Sequence, residues 1–192
     1  MVTPSCLRWL WACAALVAGG VTACGGDDGE GASVDAGGID GVVVERVGEY
    51  EHLDTDLDYD DPAPSGGDHP HAPFWLTCGV YDGEVPDELA VHSLEHGAVW
   101  VALGPDSTPA DRDAAVALAE DNAKVFVSDV PDLGNPVELV AWGFRLPLDS
   151  ADDDRADEFV DEFVDASSAP EAGSSCVSPV GEPPEPPALP FG

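Results

Sequence analysis

The ten residues from Val91 to Trp100 read VHSLEHGAVW. His92 and His96 stand four apart, one helical turn, so on a helix their rings can converge on one point, with Glu95 on a neighbouring side. Imidazole nitrogens beside a carboxylate suit zinc, copper, nickel or iron. A second group sits upstream in DDPAPSGGDHPHAP, where His69 and His71 alternate as on an extended segment next to Asp68. Either could supply a third ligand, and His52 is a further candidate. The expected metal ligands are therefore His52, His69, His71, His92, Glu95 and His96, and the expected cofactor is a copper or zinc ion. The sole methionine is Met1, which argues against a methionine-rich cuprous site.

Two other chemistries compete for the same residues. HSLEH satisfies the H-x-x-E-H pattern of zinc peptidases, with Glu95 as general base and an acid downstream such as Glu120 completing the site. That motif belongs inside a long helix, whereas Gly97 and an apolar run follow here. Ser93 lies next to His92 but lacks a nucleophile-elbow pattern. Alternatively the histidines are structural: a helix C-terminus favours His96 through its dipole, and His92 can be bonded in the core with Glu95 as partner. On that reading the polar residues organise a loop for contact with another protein of the cell envelope. Metal binding without catalysis is the expectation carried forward.

The elements that must hold these residues can be read from pattern. GVVVERVGEY, residues 41–50, has the β-branched run of a strand. From Asp54 to Pro73 the chain is rich in Asp, Pro and Gly and reads as a long loop, a length that tends to be functional. PDELAVHSLEH has a helix start at Pro86 and Asp87 and a stop at Gly97. GAVWVALG reads as a buried strand. TPADRDAAVALAEDN is an amphipathic helix with Thr108 as N-cap and Pro109 at its first position. KVFVSDV is a strand, and VELVAWGFRLPL reads as one long strand with Gly143 at a bulge or close approach. SADDDRADEFVDEFVDA is a last helix with Phe159, Val160, Phe163 and Val164 as its apolar stripe. Irregular mixing of strands and helices predicts one α+β domain with a small mixed or antiparallel sheet and two or three helices.

The N-terminus bears on location. Arg8 precedes WLWACAALVAGGV, an apolar run too short for a comfortable membrane span and followed by small residues, the layout of a secretory signal peptide. It ends in VTAC, which resembles the lipobox of bacterial lipoproteins. Residues 1–23 are then a removable signal, and Cys24 is the lipidation site that joins the protein to the cell membrane on its extracytoplasmic face. Two or more acyl chains give a stable anchor. Residues 25–41, Gly and Asp rich, read as a flexible acidic tether, residues 42–178 as the domain, and residues 179–192 as a proline-rich tail.

Without residues 1–23, five basic residues face 39 acidic ones, a balance of −34 with His neutral. Such a chain repels phosphate backbones, so nucleic acid is excluded as a partner, and it attracts divalent cations. Of five cysteines, Cys6 and Cys13 leave with the signal and Cys24 is acylated, leaving Cys78 and Cys176. In an oxidising compartment these two most simply pair. The competing reading makes Cys78 a thiolate metal ligand.

The run HAPFWLTCGVYDGEVPDELAVHSLEHGAVWV, preceded by PSGGDH and followed by VAWGFRL, DDDR and APEAGSSC, resembles the domain of unknown function 3105 family of exported and membrane-tethered actinobacterial proteins. The likeness spans roughly His52 to Val177. Position by position it carries over His52, Gly67, Asp68, His69, Trp75, Cys78, Gly79, Tyr81, His92, Ser93, Glu95, His96, Gly97, Trp142, Glu171 and Cys176. Where members usually have a tyrosine at the end of the strand after the histidine motif, this chain has Ala102 and Leu103. The resemblance implies a shared fold, export and a shared site around the histidines, with a slight tilt towards copper.

Overall fold

The computed structural model describes residues 36–191. The expected signal peptide, the expected lipidation at Cys24 and residues 25–35 lie outside the described residues. The described residues fold as an α+β domain of three helices and one six-stranded mixed sheet. In chain order the elements are β1 (Val43–Val44), β2 (Gly79–Val80), α1 (Asp87–Glu95), β3 (Val99–Leu103), α2 (Pro109–Asp121), β4 (Val125–Asp129), β5 (Val137–Ala141), β6 (Phe144–Leu148) and α3 (Asp154–Phe163). The strands lie in the order β1-β6-β5-β3-β4-β2. β3 runs parallel to β4, and β4 to β2, while β5 is antiparallel to both β3 and β6. Among the described residues no helix is long and apolar enough to cross a membrane.

Both faces of the sheet are covered, which is why the central strands read as unbroken apolar runs. Alternation along β3 divides the core in two. Val99, Val101 and Leu103 join Ala115 and Leu118 of α2 and Phe159, Val160 and Phe163 of α3. Trp100 and Ala102 join Leu89, Ala90, Val91 and Leu94 of α1, together with Leu76, Tyr81 and Trp142. α1 and the long loop before it therefore occupy one face, and α2 with α3 the other.

Local signals explain the helix starts. Thr108 and Asp111 form a reciprocal capping box at α2, with Pro109 at the first position. Asp153 accepts from the Arg155 amide at the start of α3.

Four boundaries differ from the sequence reading. VELVAWGFRLPL is a hairpin, β5 and β6, reversed at Trp142–Gly143, where Gly143 has φ +77° and its amide donates to Ser65 O at 2.8 Å. The expected strand over residues 41–50 shrinks to Val43–Val44, because only these find ladder partners, Arg145 and Phe144. The folded unit also reaches back into the expected tether: Ile39 is buried in the α3-side core, and Arg155 Nη1 donates to Asp40 O at 3.0 Å. The proline-rich tail lies on the domain as well, with the Asp82 amide donating to Pro184 O at 2.8 Å and Phe191 set edge-on to Phe74.

Phe159 is fully buried and its ring lies 4.4 Å from that of Phe163. Phe159→Ala should cost about 3–5 kcal/mol of unfolding free energy, measured by urea denaturation.

Candidate metal centre

α1 brings the downstream residues together. His92, Glu95 and His96 fall on one side of its last turn, and all three are buried. Gly97 ends the helix at φ +89°, with Asp165 packed so closely that a Cβ would meet its Oδ1 at 2.8 Å. Lys124 Nζ donates to His96 O at 3.0 Å, and the Glu171 amide donates to Glu95 O at 3.0 Å, so the last carbonyls of the helix are satisfied. Ser93 is structural: its hydroxyl donates to Leu89 O and accepts from the Leu76 amide, both at 2.9 Å.

The long loop brings the upstream residues to the same place. A short parallel bridge joins His52 to His69, with the Leu53 amide donating to His69 O at 2.8 Å and the His69 amide to Glu51 O at 3.2 Å. Asp68, read above as a possible neighbour of the ligands, instead fixes the loop: its carboxylate accepts from the Glu51 amide and its carbonyl from the Tyr59 hydroxyl. His71 points away. Its side chain is 61% exposed and pairs with Asp54 at 3.3 Å, so although its ring lies 5.3 Å from that of His52 it joins neither ligand group, and the loop departs here from the regular alternation that would put it on the face of His69.

Glu95 Oε2 is the centre of the cluster. It lies 3.0 Å from His69 Nε2, 3.6 Å from His52 Nε2 and 3.9 Å from His92 Nε2. His52 and His69 are 3.2 Å apart through their Nε2 atoms. Two groups of potential ligand atoms share this carboxylate, His52–His69–Glu95 and His92–Glu95–His96, each spanning no more than 4.8 Å. The expectation that His69 would meet His92 and His96 at a single centre is thus refined into two adjoining triads, with the His69 and His92 rings 4.9 Å apart. Glu120, the acid that a peptidase reading requires, is exposed near the end of α2 and joins neither.

Hydrogen bonds fix which ring nitrogen faces inward. A carbonyl only accepts, so His69 Nδ1–H donates to Gly67 O at 2.8 Å, and in the neutral ring Nε2 then presents a lone pair. That lone pair faces a carboxylate oxygen in a fully buried position. Two acceptors at 3.0 Å demand something positive between them, either a second proton on the ring or a cation. Ligands about 2.0–2.1 Å from a tetrahedral zinc lie about 3.3 Å from one another, and the His52–His69–Glu95 separations bracket that length. The other carboxylate oxygen, Oε1, accepts from the Tyr50 hydroxyl at 2.7 Å, an orienting bond of the kind that metal ligands use.

His96 repeats the arrangement. Its Nδ1–H donates to Ser175 O at 2.8 Å, leaving Nε2 3.5 Å from Glu171 Oε2. Ser175 is held by the neighbouring Cys78–Cys176 disulfide, whose Cα atoms are 5.4 Å apart. Pairing of Cys78 removes it as a thiolate ligand. A cleft of about 290 Å³ lined by His52, Trp75, His92, His96 and Glu171 opens this side of the cluster.

Burial, reinforced by the neighbouring His69 and His96 rings, pushes the His92 pKa down to about 3, against a smaller upward pull from Glu95. Burial alone would raise Glu95, but hydrogen bonds from His69 and Tyr50 and the charge of the imidazoles outweigh it and hold the carboxyl at about 2. Tyr50 was not legible as a site residue, although its position two residues before His52 on an extended segment places both on one face. Gly67 and Ser175 act through backbone carbonyls, which no residue type announces.

The model of a family described as a protein of unknown function, DUF3105, matches residues 52–178. No curated protein and no solved structure matches the chain.

A pH prediction follows for protein stripped of metal by a chelator. Folded His92 stays neutral down to about pH 3, whereas the unfolded chain takes up its proton near pH 6.5. The unfolded state thus binds more protons between those values, so this contribution is intact above pH 6.5 and is lost on acidification, at no more than about 1.4 kcal/mol per pH unit. Glu95 adds to the loss below about pH 4.5. Denaturant unfolding between pH 7 and 5 should show this slope in the native chain and a flatter one in His92→Gln.

Proposed function

The chain belongs to the DUF3105 family of proteins of unknown function, and we propose that it is a lipid-anchored, extracytoplasmic domain that holds a transition-metal ion, zinc or copper, at the histidines around Glu95. The observation that carries this reading is the buried His69, its Nδ1 bonded to Gly67 O and its Nε2 3.0 Å from Glu95 Oε2, with His52 Nε2 completing a triangle of ligand-like edges. Imidazole and carboxylate donors match zinc and cupric copper, and the scarcity of methionine disfavours cuprous ion. A strongly acidic chain concentrates divalent cations around such a site.

Binding rather than catalysis is the role proposed, because the carboxylate that would serve as general base is enclosed by imidazoles on one oxygen and tied to Tyr50 on the other. The location rests on the VTAC lipobox and the apolar run before it. The Cys78–Cys176 disulfide suits an oxidising compartment.

The full chain, purified without chelator and analysed by elemental mass spectrometry, should carry zinc or copper that is lost in His69→Ala and Glu95→Gln and retained in His71→Ala. Tyr50→Phe, which frees the carboxylate without removing a ligand, should weaken metal affinity about 10–100-fold in a competition titration. Equal metal content in the native chain and in both His69→Ala and Glu95→Gln would overturn the proposal.

A further inference from the structure

Resting on that metal-binding reading, we infer that the cluster takes two divalent ions, the second between His92 and His96, with Glu95 shared by both ions and Glu171 closing the outer side. The ligand class is a borderline divalent cation such as zinc, cobalt or cupric copper.

Three observations separate this outer position from the inner one at His52 and His69. His92, Glu95 and His96 form a ligand triad of their own, with all three side chains buried. His96 is locked by Ser175 O so that its Nε2 meets a second carboxylate, Glu171, at 3.5 Å. This is a second facing of acceptors, built from residues that the inner triad does not use. Finally, His92 turns its Nε2 towards the shared carboxylate, 3.9 Å from Glu95 Oε2, with its ring 4.8 Å from that of His96.

Charge and access agree. Glu95 Oε2 stands between the two groups, 3.0 Å from His69 Nε2 and 3.9 Å from His92 Nε2, so one carboxylate can serve both ions, as in carboxylate-bridged pairs. Glu171 supplies a second negative charge and is held over His96 by the bond from its amide to Glu95 O. The cleft beside Trp75 is lined by His92, His96 and Glu171 of the outer position and, of the inner ligands, by His52 alone, while His69 is fully buried. The outer ion is therefore the exchangeable one.

The full chain, stripped with chelator and titrated with Co(II) followed by optical absorption and electron paramagnetic resonance, should bind two equivalents. The second should be weaker, should be the first removed by chelator, and should attenuate the resonance of the first through the shared carboxylate. Zn(II) titration by calorimetry should give the same stoichiometry. His96→Gln should keep one equivalent and lose the other. Glu171→Gln, a half-exposed position that cannot unfold the protein, should weaken the second step at least about tenfold and leave the first unchanged. His69→Gln should abolish the tighter step. One equivalent in the native chain that depends on His69 but not on His96 or Glu171 would overturn the two-ion inference and leave the metal-binding reading standing. Two equivalents indifferent to His96→Gln and Glu171→Gln would also overturn it. No bound metal would remove both.

Discussion

A single buried carboxylate, Glu95, stands among three imidazole nitrogens at 3.0, 3.6 and 3.9 Å. Burying a carboxylate is costly unless its charge is met. Tyr50 satisfies one oxygen. The other faces His69 Nε2 at 3.0 Å, a contact that needs either a proton on that nitrogen or a cation between the two atoms. Much of the surrounding architecture serves to hold these acceptors against each other. The parallel bridge between His52 and His69, the abrupt end of α1 at Gly97, and the carbonyls of Gly67 and Ser175 each remove a freedom that would let the rings turn away.

The sheet supplies the platform. α1 lies on the face defined by Trp100 and Ala102, so that its apolar side is buried in the core while its last turn meets the long loop. The Cys78–Cys176 disulfide and the hydrogen bond from the Cys78 amide to Cys176 O fasten the segment that carries Glu171 and Ser175. A cross-link over 98 residues of sequence ties a site wall to the strand beside it. Loop closure of that size contributes about 4.7 kcal/mol in the chain-entropy description, so the same bond steadies both the fold and the wall.

The helices were legible because their signals are local: Thr108 and Pro109 at α2, Pro86 and Gly97 around α1, and the aromatic stripe of α3. So was the convergence of His92, Glu95 and His96, since helical spacing dictates it. The β5–β6 hairpin was hidden because both faces of the sheet are buried, which erases the alternation that separates strand from turn and leaves Gly143 as the only mark. Ile39 was missed in its Gly and Asp surroundings because one apolar residue has no period. The pairing of His52 with His69 depends on closing a loop of 17 residues, and the exclusion of His71 depends on its capture by Asp54 across that loop. Neither is written in residue type. The same holds for Gly67 and Ser175, whose contribution is a backbone oxygen.

The most direct test is anomalous diffraction from crystals of the full chain grown with zinc, with data on both sides of the zinc edge. The account predicts a peak among His52 Nε2, His69 Nε2 and Glu95 Oε2, each about 2.0–2.2 Å from it. A map without anomalous density there, in which His69 bonds directly to Glu95 with no ion between them, would contradict it.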